Sequence, residues 1–184
     1  MNNFFKNYYL NFLKILKVDE NLQKKLFLFS RLILDCKERG GTVFFLGNGG
    51  SSAISSHVAV DLTKNAGIKS FTFNEVDLIT CFSNDFGYKQ WMQKSLNYYS
   101  TTKDLVVLIS SSGNSMNILN AAKWSIKNNR KLVTFTGMLK NNRLNKINKN
   151  GLSFWVNSKE YNFIEMAHLF YLLSVVDLII KRKK

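Results

Sequence analysis

A chain of 184 residues can bury one substantial core, and 46% hydrophobic with 14% aromatic residues places it among globular rather than disordered sequences. Its 26 Lys and Arg against 12 Asp and Glu give a formal charge of +14, a balance that attracts nucleic acid, anionic membranes and small anions alike. Proline is absent and Lys and Asn are abundant, so compositional drift explains much of that charge; with no nucleic-acid motif beside it, neither nucleic acid nor a membrane is expected as a partner.

Cys36 and Cys81, each in an apolar context, make neither a disulfide framework nor a CxxC motif. The first six residues lack the basic, apolar and small-residue pattern of a signal peptide, which predicts a cytoplasmic protein. The apolar run 167–180 carries Ser174 and Asp177 and is short for a membrane span, so it reads as a buried helix. The basic run Lys181-Arg182-Lys183-Lys184 reads as a solvated tail that favours the negative end of that helix.

In chain order, Phe4, Tyr8, Phe12, Ile15 and Leu16, then Leu22, Leu26, Phe29, Leu32 and Ile33, fall at helical spacing and predict an N-terminal helical pair over 1–40, closed by Gly40-Gly41. Strands are predicted at 42–46, 70–73, 105–109, 131–136 and 152–156, and helices near 51–64, 90–98, 114–127 and 161–180. Lys140 to Asn150 is polar and basic and reads as a loop with a short helical turn. Nearly continuous apolar strands such as Leu105-Val106-Val107-Leu108-Ile109 imply burial on both faces, hence a mostly parallel, doubly wound five-stranded α/β sheet. The whole chain, 1–184, is read as one domain with its α/β core over 41–184.

Two strand-to-helix turns carry the chemistry. The first, Gly47-Asn48-Gly49-Gly50-Ser51-Ser52, offers backbone amides that glycine leaves open to close approach. The second, Ser110-Ser111-Ser112-Gly113-Asn114-Ser115, offers four hydroxyls ahead of a helix. Amides and the positive dipole end of a helix bind anions, and hydroxyls add donors without fixed charge, which suits a phosphate. Gly, Asn and Ser are also ordinary turn and cap residues; two such turns after two buried strands favour the anion reading. Neither turn has the GKS/GKT ending of a nucleotide-binding loop, and the first lacks GxGxxG spacing.

Those turns, together with Ser83-Asn84-Asp85-Phe86-Gly87, resemble the phosphoheptose isomerases of the sugar isomerase (SIS) superfamily in order and spacing, from about Leu26 to the end of the last helix. The resemblance implies a three-layer αβα fold and conversion of sedoheptulose 7-phosphate to a glycero-manno-heptose 7-phosphate for surface polysaccharide (lipopolysaccharide or capsule). It also implies a cytoplasmic homotetramer, often with zinc. By position it assigns Ser51, Ser110, Ser111, Ser112 and Ser115 to the phosphate and Asn48 and Asp85 to the sugar, with Gly49 and Gly50 in the same turn. Asn162 stands where the family usually has a substrate-binding aspartate.

The enediol route needs a group to move a proton between adjacent carbons and another to manage the oxygens. His57 and Asp61, four apart on one helix, share a face and coincide with the His and Glu of the family site; a His and a carboxylate suit zinc. On the last helix the family has a Gln and, eight residues later, a His, where this chain has Glu165 and Leu173. Glu165 and His168, three apart, are the available substitutes. The expectation is that Asp61 and Glu165 share acid/base work, His57 ligates metal or oxygen together with Asp61 and Glu165, and His168 supports them. A lone His on an apolar helix is more often structural. The competing function is a non-catalytic SIS sensor or adaptor, resembling relatives that bind the bacterial replication initiator, and Leu173 favours it. The long apolar face of the last helix and the N-terminal pair are expected at subunit contacts.

Overall fold

The computed structural model describes residues 3–182, so Met1, Asn2, Lys183 and Lys184, the last two being half of the expected basic tail, lie outside the described residues. Two helices come first, α1 (Phe4–Ile15) and α2 (Glu20–Glu38), the second begun by Asp19, whose carboxylate accepts the Leu22 amide at 2.7 Å. Gly40, at φ 68°, turns the chain out of α2. Then follow β1 (Val43–Gly47), α3 (Gly50–Lys64), β2 (Ser70–Phe71), α4 (Val76–Phe86), α5 (Trp91–Tyr99), β3 (Leu105–Ser110) and α6 (Met116–Lys127). The chain continues through β4 (Lys131–Thr136), a short α7 (Arg143–Ile147), β5 (Leu152–Trp155) and α8 (Tyr161–Lys181).

The five strands form one parallel sheet in the order β2-β1-β3-β4-β5. Alternate residues of the central strands feed two cores. Phe45, Val107 and Phe135 face α2, α3 and α8, while Phe44, Leu46, Val106 and Leu108 face α5, α6 and α7. The result is three layers, and the double burial of the central strands explains their unbroken apolar sequences.

Two expectations need correction. Helix α4 was not anticipated; the Ser83–Gly87 segment, expected as a motif without assigned structure, forms its last turns and its cap, and Leu78, Ile79 and Phe82 pack on the second core. Cys81 lies exposed on α4, whereas Cys36 is fully buried. Helix α8 matches the predicted 161–180 to within a residue, but by length and composition it is apolar enough to cross a membrane, against the reading of its apolar run as short for a span; half of that stretch is buried inside the fold, against α2 and α3. Among its buried residues, Phe163 meets Tyr8 and Phe12 of α1, with ring centroids at 4.6 and 5.8 Å. No residue of α1 is itself buried.

Candidate functional site

In this strand order β1 and β3 are neighbours, yet α3 leaves β1 for one face and α6 leaves β3 for the other. Such a switch point opens a crevice beyond the strand ends, where ligands bind in open parallel sheets. Gly47 pairs in register with Ile109, so the two small-residue turns emerge side by side.

Between them is a cavity of about 100 Å³, lined by Asn48 and Ser51 from the first turn and Ser110, Ser111, Ser112 and Ser115 from the second; Tyr161 and Glu165 of α8 close it. Ser51 and Ser112 thus share one pocket. Close packing holds the first turn: a Cβ on Gly47 would lie 2.5 Å from the Ser51 carbonyl, and Gly49 sits at φ 54° as the N-cap of α3. A Cβ on Gly50 would collide with the Glu165 carboxylate, so that glycine lets Glu165 reach the turn. The second turn is buttressed from behind. The Gly137 amide donates to the Ser111 carbonyl at 2.9 Å and the Leu144 amide to the Gly113 carbonyl at 2.9 Å.

The donors in the cavity are largely unspent. Ser111 Oγ is buried with no partner among the described residues, an arrangement that costs free energy unless something from outside accepts or donates there. Ser115 stands at the N-cap of α6 yet makes no capping bond, which leaves its hydroxyl for the pocket. The Ser52 and Ala53 amides donate to the Gly49 carbonyl at 3.0 and 3.1 Å, so it is the Gly50 and Ser51 amides at the start of α3 that lack a helix partner by geometry. Among the described residues no Lys or Arg lines the cavity, and Glu165 is its one charged group. The groups available to an anion here are neutral dipoles.

Asn48 is fixed from two sides. Its amide exchanges a pair of hydrogen bonds with Asn117, at 3.0 and 2.9 Å, and its Oδ1 also accepts from the Tyr88 hydroxyl at 3.1 Å. Tyr88, Asn117 and Tyr161 were not among the expected site residues. Asn117 carried a readable signal, a polar residue on the buried face of α6; the exposed tyrosines carried none.

The other expected residues lie elsewhere. His57 Nε2 and Asp61 Oδ2 are 3.5 Å apart on the open side of α3, 54% and 31% exposed, and Asp61 also accepts from the Asn65 side-chain amide at 3.2 Å. The serine cavity is lined by neither. Asp85 is exposed at the end of α4, bonded to the side chain of Asn84, and Asn162 is exposed beside Tyr161. His168 corrects the expectation of a supporting role in catalysis: it is fully buried, its Nε2 lies 3.1 Å from the Thr136 carbonyl, and its ring packs edge-on to Phe135. Burial pushes its pKa down to about 4, so it is a neutral core residue. Leu173 lies in a shallow apolar groove with Phe12, Leu16 and Phe170.

Zinc needs several convergent donors. Among the described residues no three His, Cys, Asp or Glu side chains come together, so His57, Asp61 and Glu165 of one chain do not fit a metal as a set.

Residues 7–137 match the family model described as SIS domain. Among curated proteins, the chain is 30% identical over 129 residues to the phosphoheptose isomerase of Aliarcobacter butzleri, covering 67% of this chain and 68% of that protein. It is 31% identical over 115 residues to the one from Leptospira biflexa, 58% of this chain and 59% of that one; against this relative the match spans only about three fifths of the length. Solved structures of phosphoheptose isomerases from Neisseria gonorrhoeae and Francisella tularensis superpose with a TM-score of 0.87 each. They cover 95% and 98% of this chain, and 96% and 100% of theirs, at 21% and 22% identity, which is a likeness of fold.

Proposed function

Because this chain belongs to the SIS domain family, in its phosphoheptose isomerase branch, we propose that it isomerises sedoheptulose 7-phosphate or a closely related ketose phosphate to the corresponding aldose phosphate. The product would be a D-glycero-D-manno-heptose 7-phosphate used for surface polysaccharide. The observation that carries the reading is the pocket where hydroxyls of two separate turns meet around the unpartnered Ser111 Oγ.

In this reading the phosphate lies among Ser51, Ser110, Ser111, Ser112 and Ser115, and Asn48, held by Asn117 and Tyr88, orients the sugar; Asp85 and Asn162 are further sugar contacts. A base takes a proton from C1 of the ketose to give an enediolate and returns it to C2, while a proton moves from O1 to O2. Asp61 and Glu165 are the carboxylates proposed for the proton transfers, with His57 beside the oxygens. Within one chain they do not converge, so the reactive set is proposed to form between copies in a homotetramer. Exposed apolar residues on α1, α2 and α8, such as Phe5, Leu28 and Phe170, suit such contacts. No step is routed through zinc.

The test is an isomerisation assay with sedoheptulose 7-phosphate, with and without added zinc, alongside a binding titration. Turnover supports the enzyme. Phosphosugar binding with no turnover under either condition would replace it with the sensor reading, in which Leu173 marks a lost catalytic group.

A further inference from the structure

A second cavity, about 270 Å³, lies at the free edge of the sheet, between the α1–α2 turn, β5 and α8. It shares no lining residue with the serine pocket. Ile15, Phe154 and Trp155 are among its lining residues, beside the polar Asn21 and Asn157. Three lysines surround it, Lys14, Lys17 and Lys25, and among the described residues none of them forms a salt bridge. The one carboxylate at the rim, Asp19, is already committed to the Leu22 amide at the start of α2. Lys25 is held in place rather than waving in solvent: its Nζ donates to the Ser153 carbonyl on the unpaired edge of β5 at 3.1 Å.

Lysines alone would be a solvated rim in so basic a chain. Tyr171 makes the difference. It is 4% exposed and lines the cavity, and among the described residues its hydroxyl makes no hydrogen bond. Burial, with Asp19 nearby, pushes its pKa up, so the group stays a proton donor. A donor without a protein partner on a nearly buried lining residue, beside aromatic side chains and lysines, matches a small molecule with an anionic head and a flat apolar body.

We propose that this cavity is a second ligand site, for an organic phosphate ester carrying a flat apolar group, with Tyr171 and the lysines on the phosphate and Phe154 and Trp155 against the body. The site is independent of the serine pocket and of the reaction assigned to it.

Phenyl phosphate is the probe, titrated calorimetrically into the full chain at ~0.15 M salt, where loose surface pairing is screened. Lys17→Gln/Lys25→Gln should weaken one binding event about tenfold or more and Tyr171→Phe about threefold, as expected for losing charge-assisted and neutral hydrogen bonds. Ser112→Ala should leave that event unchanged. Should the double variant fail to fold, Lys17→Gln alone, at an exposed position, should still weaken it. Binding that Ser112→Ala abolishes and the lysine variants leave untouched would overturn the proposal, as would phenol binding as tightly as phenyl phosphate.

Discussion

The serine pocket and the His57–Asp61 pair both depend on α3, yet they are built in opposite ways. The pocket lies at the helix start, where backbone amides, buried hydroxyls and packed glycines are fixed by two neighbouring strands. The pair lies two turns further on, on an open face, held by little more than a contact of 3.5 Å and one amide. In the proposed reading, gripping a phosphate is a property of the single folded chain. In that reading, moving protons falls to side chains that one chain does not assemble.

That contrast is sharpest in a mixing experiment. Asp61→Asn and Glu165→Gln should each reduce turnover by roughly two orders of magnitude or more while leaving phosphosugar binding nearly intact, as for lost acid/base groups. If the carboxylates meet between copies, unfolding and refolding the two variants together should restore roughly a quarter of the activity by random assortment. No recovery would place both groups in one chain.

Buried groups behave differently again. His168 has a pKa depressed to about 4 against about 6.5 when unfolded, so the unfolded chain binds the extra proton first. Its stabilising share is present above pH ~6.5 and is lost as the pH falls toward 4, by about 3 kcal/mol over that window. Denaturant titrations from pH 7 to 4 should show this slope, and His168→Gln should flatten it. An unchanged slope would mean that another group carries it.

The smallest effect falls in the pocket itself. Ser111→Ala removes an unpartnered buried hydroxyl, so the free protein should be as stable or slightly more stable, by up to about 1 kcal/mol, while phosphosugar affinity falls about tenfold. Loss of stability with unchanged affinity would make Ser111 a packing residue only.

The fold was legible where the sequence is repetitive in the physical sense. Unbroken apolar runs such as 105–109, short and bounded by turn residues, read as strands buried on both faces, and the turn composition marked where the sheet opens. Helix α4 escapes the sequence reading because it overlaps a motif read for its chemistry, although Leu78, Ile79 and Phe82 have helical spacing. In the site, spacing along a helix proved reliable at four residues and misleading at three. His57 and Asp61, about 40° apart around the axis, do meet; Glu165 and His168, about 60° apart, divide between the pocket and the core. Which side of a nearly all-apolar helix faces a cavity is set by the sheet it covers. Local sequence does not encode it.

The most direct measurement is a crystal structure with sedoheptulose 7-phosphate bound. The expected result is a phosphoryl group between the Ser51 and Ser112 hydroxyls, within hydrogen-bond distance of Ser111 Oγ. A sugar phosphate seated elsewhere, with Ser111 still unpartnered, would contradict the assignment of these two turns as the anion grip.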